Sequence, residues 1–485
     1  MRVLFVDVDS LRADHLGCYG YPRATSPTID RLAARSARFT RCYASDVPCL
    51  PSRSAWATGR FGTRNGVVGH GGSAAELFPD GATRGFSSRL GRQGLFPLLR
   101  KAGLYTATIS SFAERHSAFH FLAGFQSALT VGKRGLENGD EVVDLALDWL
   151  ARNGARDDWF LHVQLWDPHT PYRAPAAFGD PFAREPLPAW LDERVRSAHF
   201  RGAGPHSAQE AVGFSAAYPY GDYPRQPRQI DSPTAVRQLF DGYDCGVAYA
   251  DQQLARVLDQ LTALGVREQT AIVLSADHGE ALGELNVYGD HHAADEPTAH
   301  VPMLLSWPGL PPKVEPRLCY QLDVFATVVE LLGGKVPDGW DGAGFSAELR
   351  VGTAGGRDHL VITQGAWSCQ RGVRWDRYLA LHTQHDGYHG WPEWMLFDVE
   401  ADAHEQHDLA AAQPALVQHA RALLERWRSA AIAGNPGGVD PIDTVLAEGG
   451  PAHVRGQLGA YLERLRATGR SDWADRLRAA HPDEP

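Results

Sequence analysis

Four short apolar runs, far apart along the chain, each end in polar residues of similar chemical type. Arg2 to Val8 leads into Asp9, and Tyr105 to Ile109 leads into Ser110-Ser111. Trp159 to Leu165 leads into Trp166-Asp167-Pro168-His169, and Thr270 to Leu274 leads into Ser275-Ala276-Asp277-His278-Gly279. Longer stretches of helical period separate these runs. That alternation predicts an α/β fold, a large mostly parallel mixed sheet with helices on both faces. Ligands of such sheets sit in the crevice beyond the carboxyl ends of the strands, so the four polar endings are expected to become neighbours.

The stretch from Val236 to Leu264 places Val236, Leu239, Tyr243, Val247, Ala250, Leu254, Val257 and Leu261 three or four apart, with Gly265 as a stop. It predicts a long amphipathic helix that packs on the sheet, with Cys245 inside it. From Phe200 to Thr234 the composition turns to Gly, Pro, Ser, Arg and aromatic residues, including Tyr218 to Pro224. So long a connection is either a functional loop (a lid, or a contact with another subunit) or a solvated excursion.

Beyond about Gly342 the pattern changes. Asp358 to Gln364, Arg374 to His382 and Leu396 to Val399 read as strands, and Pro414 to Arg428 reads as a helix. The expected organisation is a catalytic α/β domain over 1–341, a smaller C-terminal antiparallel sheet plus helix over 342–435, and a helical tail over 436–485 after the hinge Pro436-Gly437-Gly438.

The formal net charge of −11 argues against nucleic acid as the main partner, because broad phosphate binding needs a basic face. Asp7 and Asp9 interrupt what would have to be the apolar core of a signal peptide, and no run approaches the roughly 18 apolar residues of a membrane span. Six cysteines without close pairing do not suggest a disulfide framework. A cytoplasmic protein with no membrane partner is expected, and an oligomer is compatible with the sequence.

One cysteine stands apart. In Cys49-Leu50-Pro51-Ser52-Arg53-Ser54-Ala55-Trp56-Ala57-Thr58-Gly59-Arg60, Pro51 suits the first turn of a helix and Gly59 suits its end. Cys49 then stands at a helix N-terminus, where backbone amides and the helix dipole favour an anion, and Arg53 adds a charge one turn on. A structural cysteine beside a helix start is the alternative.

The full segment resembles the nucleophile signature of the sulfatases of the alkaline phosphatase superfamily. Other segments resemble that family in order: Asp9 to Gly20 with Thr25 to Ala33, His169-Thr170-Pro171-Tyr172, Ser275 to Glu280, and Leu396 to Val399 with Glu405 and Asp408-Leu409-Ala410. The resemblance implies a sulfuric ester hydrolase whose Cys49 is converted to formylglycine by a formylglycine-generating enzyme. The hydrated aldehyde supplies one hydroxyl to attack sulfur and a second to expel sulfate, a release step that a plain serine ester would lack. Arg53 would orient the diol, and His169 would contact the sulfate or protonate the leaving oxygen of a small-molecule sulfate ester. Asp9, Asp277 and His278 would hold one divalent metal, calcium first, with magnesium or manganese as alternatives. Read singly, Asp9 is a helix cap, Asp277-His278-Gly279 a turn, and His169 a turn histidine between prolines.

The chain also departs from the family. Ser10 stands where many sulfatases carry another metal-binding aspartate, which removes a charge and, with His278, makes the site friendlier to manganese or a softer ion. The usual Gly-Lys-Trp-His segment is replaced by Ser110 to His116, where His116 or Arg115 would substitute. The second expected lysine falls near Gly289-Asp290-His291-His292, with His291 the better substitute. Imidazoles in place of lysines predict an anion grip that depends on pH. Two other functions remain open: hydrolysis of phosphonate monoesters or phosphodiesters at the same site, and a catalytically silent anion-binding protein that is never matured. Trp166, Trp367 and the Tyr218 to Tyr223 loop either stack a sugar or aryl ring or simply pack.

Overall fold

The computed structural model describes residues 1–80, 88–214, 223–353 and 355–484. Its larger sheet has eight strands in the order Lys313–Tyr320, Ala37–Tyr43, Met303–Ser306, Thr270–Ser275, Arg2–Val8, Trp159–Leu165, Tyr105–Ile109 and Ser127–Leu129. Only Met303–Ser306 runs against the rest. The central strands Trp159–Leu165 and Thr270–Ser275 are buried throughout, as expected where helices cover both faces. The four polar endings therefore lie along one carboxyl edge.

The long helix runs from Pro233 to Ala263, with Pro233 at its first turn and the Ser232 hydroxyl accepting from the Ala235 amide. Cys245 is buried within it. Gly139–Asn153, opened by a capping box between Asn138 and Glu141, packs against it.

The second sheet has the order Trp394–Asp398, Tyr378–His385, Cys369–Trp375, His359–Gln364 and Asp46–Val47. The last strand pairs parallel with His359–Gln364, so the chain entering Cys49 is clamped to this sheet. One expectation is corrected. Arg374 to His382 is not a single strand, because Trp375 pairs with Tyr378 across a tight turn at Asp376-Arg377. Asp376 takes φ 43 there, and with neither Gly nor Pro present the β-rich flanks hide the turn.

Residues 203–214 are largely buried beneath the tail helices Leu458–Ala467 and Ser471–Ala480. The Gly204 amide donates to the Tyr461 hydroxyl at 2.6 Å, and the buried Glu210 carboxylate pairs with Arg470 and Arg464. Residues 218–222 of the aromatic loop lie outside the described residues. Among the described residues no helix is long and apolar enough to cross a membrane.

His481 fastens the tail, with its ring nitrogens 2.8 Å from Asp386 and 2.8 Å from Glu484. Burial opposes its charge, but hydrogen bonds to Asp386 and Glu484 prevail and lift it to about 9. A raised folded value means this stabilisation is complete below about pH 6.5 and is lost as pH rises through about 9. Hydrogen exchange of Ser471–Ala480 should accelerate between pH 6.5 and 9.5 beyond the intrinsic rate in the wild type but not in His481→Gln. Equal protection of the wild type at both pH values would contradict this.

Candidate active site

Cys49 opens the helix Cys49–Thr58, whose first nine residues are buried. The helix ends at Gly59, where φ is 69 and a Cβ would come within 2.1 Å of the Trp340 ring, so only glycine fits. The Ser52 hydroxyl donates to the Asp277 carbonyl at 2.7 Å and Trp56 Nε1 to Gln321 Oε1 at 3.2 Å. These bonds tie the cysteine's helix to the end of the Thr270–Ser275 strand.

Below Cys49, Arg53 faces three carboxylates. Its Nε donates to Asp7 Oδ2 at 2.8 Å and its Nη1 to Asp9 Oδ2 at 2.9 Å and to Asp277 Oδ2, with all four side chains fully buried. Three carboxylates around one guanidinium leave the cluster short of positive charge. Burial opposes the charge of Asp9, but Arg53, His169 and His278 outweigh it and hold its carboxyl well below the usual range. Burial pushes the Asp277 carboxyl up, and the charge of Asp9 adds to that. Burial, with Asp9 and Asp277 alongside, also pushes the Cys49 thiol well up, so it is a protonated and poorly nucleophilic sulfur in this form.

The donor set fits a divalent cation. One ligand atom each from Asp9, Cys49, Asp277 and His278 lie within 4.8 Å of one another. His278 Nδ1 is 2.7 Å from the Gly279 carbonyl, which can only accept, so Nδ1 carries the proton. The Nε2 lone pair then turns toward Cys49 Sγ at 3.1 Å and Asp277 at 3.2 Å, as a metal ligand requires. Ser10 sits in the left-handed region at φ 58, with its hydroxyl donating to Asp9 Oδ1 at 3.1 Å. It orients a carboxylate where the family would offer another.

Above Cys49 opens a cavity of about 700 Å³. His169, His291, His116, His70 and Arg115 line it, as do Trp367 and, from the tail, His453 and Gln457. The His291 ring lies tilted against that of His278, with centroids 4.2 Å apart, and meets His169 edge-on at 5.6 Å. The structure thus brings His169, His291 and His116 to the mouth of the site that holds Cys49. His116 Nε2 is buried without a hydrogen bond. Burial pushes His169 down to about 3 and His116 and His291 well below their usual value. Burial thus disfavours the charged imidazole at all three positions.

Several site residues escape sequence reasoning. Asp7 was noticed only as a charge in an apolar run, although its spacing of two from Asp9 on a strand puts both on one face. His70, His206 and His453 carry no motif and reach the cavity through tertiary contacts alone, while Asp290 lies in the segment read only for its histidines. Glu280 lies in the metal motif, and its carboxylate approaches Tyr172 and His291, each at 3.4 Å.

The profile of the family described as Sulfatase matches residues 2–334. Human iduronate 2-sulfatase is 25% identical over 379 residues, covering 68% of this chain and 64% of that protein, so the chain matches under two thirds of this relative's length. A structure of a protein in complex with its substrate D-glucosamine-2-N,6-O-disulfate superposes with a TM-score of 0.70 at 19% identity, covering 90% of this chain and 99% of that one. The phosphonate monoester hydrolase of Silicibacter pomeroyi gives 0.66 at 20% identity, covering 88% and 95%. At these identities the two structures show a shared fold.

Proposed function

Because the chain belongs to the sulfatase family, we propose that it hydrolyses a sulfate monoester at the floor of this cavity, with residue 49 as nucleophile after conversion to formylglycine. The observation that carries the reading is the convergence of Cys49, Asp9, Asp277 and His278 within 4.8 Å at a helix N-terminus. A divalent ion held by Asp9, Asp277 and His278 would polarise a sulfate oxygen and favour ionisation of the attacking hydroxyl. Two carboxylates with an imidazole suit calcium, with magnesium or manganese as alternatives.

The chain's own residues supply the rest. Arg53 fixes Asp9 and Asp277 from beneath and places positive charge under the reacting group. His169 and His291 stand on the cavity side, placed to contact the sulfate and to protonate the departing alcohol oxygen. Cytoplasmic residence belongs to the same proposal, in keeping with six free cysteines.

A second reading, cleavage of phosphonate monoesters or phosphodiesters, has one observation in its favour. Among the described residues lining the cavity Arg115 is the one permanent cation, so the site is matched to a singly charged ester of either element. Parallel kinetics on an aryl sulfate, an aryl phosphonate and an aryl phosphodiester test the choice. The sulfate should give the highest kcat/KM, on the order of tenfold or more above the others. A ranking led by either phosphorus ester would replace the main reading with the second.

A further inference from the structure

We propose a second metal site in the wall of the same cavity, built by His206, Asp290 and His292 and suited to a zinc-type divalent ion. One ligand atom from each residue lies within 4.8 Å of the other two, and all three are buried. His206 Nε2 is 3.2 Å from Asp290 Oδ2, and His292 Nε2 is 3.5 Å from Asp290 Oδ1. Two imidazoles and a carboxylate that leave a position open form a donor set for zinc or a neighbouring transition ion.

Charge and hydrogen bonding point to a missing cation. Among the described residues, the ion-pair partners of the buried Asp290 carboxylate are the imidazoles of His206, His291 and His292, with no lysine or arginine. A buried carboxylate without a permanent counter-charge is costly. His292 Nδ1 lies 2.9 Å from His389 Nε2, while His292 Nε2 is buried without a hydrogen bond. A metal ion between His292 Nε2 and the Asp290 carboxylate would fix the tautomer in which His292 Nδ1–H donates to His389.

The backbone supports the same reading. His206 is held at φ 57, a left-handed conformation that non-glycine residues uncommonly adopt. A Cβ at Gly213 would come within 2.7 Å of His206 Nε2, so the glycine keeps the space over that nitrogen clear. His206, Gly213 and Asp290 all line the cavity that reaches Cys49. An ion there would present its open position to the part of a substrate beyond the sulfate, where it would take an oxygen donor such as a hydroxyl or carboxylate. The other histidine–carboxylate cluster near the tail, His385 with His481 and Glu484, differs because its members are already paired with one another and with Asp386.

Full-length protein stripped with a chelator, reloaded with Zn²⁺, desalted and subjected to elemental analysis tests the proposal. Wild type should hold two ions per chain, His206→Ala and His292→Gln one each, and Asp277→Asn should lose the other one. With Co²⁺, Asp277→Asn should keep the visible bands of an imidazole-carboxylate site, and the double variant Asp277→Asn/His206→Ala should lose them. Circular dichroism checks the fold of each variant, and if His206→Ala does not fold, wild-type stoichiometry and His292→Gln decide. One ion per wild-type chain that persists in His206→Ala overturns the proposal, as does retention of two ions in both histidine variants. A second ion lost only in His481→Ala would lie at the tail cluster and would overturn it too.

Discussion

Cys49→Ala is expected to lower kcat on the order of a thousandfold or more while leaving the fold intact. The side chain is small and 1% exposed, and among the described residues its one side-chain hydrogen-bond partner is His278, so truncation exposes little and strands no charge. Cys49→Ser should separate attack from release. A serine hydroxyl at this helix N-terminus can accept sulfate, but it has no second hydroxyl to expel it. The variant is therefore expected to stop after at most one turnover, releasing one alcohol and gaining the mass of one SO₃ group on the serine oxygen. Steady multiple turnover by either variant, measured on an aryl sulfate, would place the nucleophile elsewhere.

Arg53→Ala should carry the largest stability cost of any single change in the site. Asp7, Asp9 and Asp277, all fully buried, would lose their shared guanidinium, and stranding buried charges in this way costs on the order of 3–5 kcal/mol. Arg53→Lys recovers only part of that, because an ammonium cannot reproduce the fork that reaches Asp7 through Nε while Nη1 bridges Asp9 and Asp277. Urea unfolding should rank wild type above Arg53→Lys above Arg53→Ala. Excess divalent metal should narrow the gap, since it replaces charge at Asp9 and Asp277. An Arg53→Ala protein that unfolds at the wild-type midpoint would show that the cluster does not depend on the guanidinium.

Local pattern revealed much of this architecture. Arg2–Val8, Tyr105–Ile109 and Trp159–Leu165 begin and end where the apolar runs do, because strands buried on both faces leave an uninterrupted signal. The long helix was legible to within three residues at its start, since its apolar stripe ran unbroken. The hairpin at Asp376-Arg377 was not, because its turn lacks the usual residues. The site divides similarly. Cys49, Arg53, Asp9, Asp277 and His278 lie in contiguous motifs next to strand ends. His206, Asp290 and the tail's His453 and Gln457 meet across separations that no local period encodes. Glu210 with Arg470, and Gly204 with Tyr461, are the contacts that bring the tail to the cavity, and each partner looks ordinary in its own segment.

The tryptic peptide Cys42–Arg53 contains the proposed nucleophile together with Cys42, a buried thiol that serves as an internal control. Its mass should be measured on protein expressed with a formylglycine-generating enzyme, in parallel with aryl sulfate turnover. Residue 49 alone should change from CH₂SH to CHO and react with a hydrazide, and kcat should rise in proportion to the converted fraction. Turnover that is undiminished in a preparation whose residue 49 is entirely thiol would contradict this.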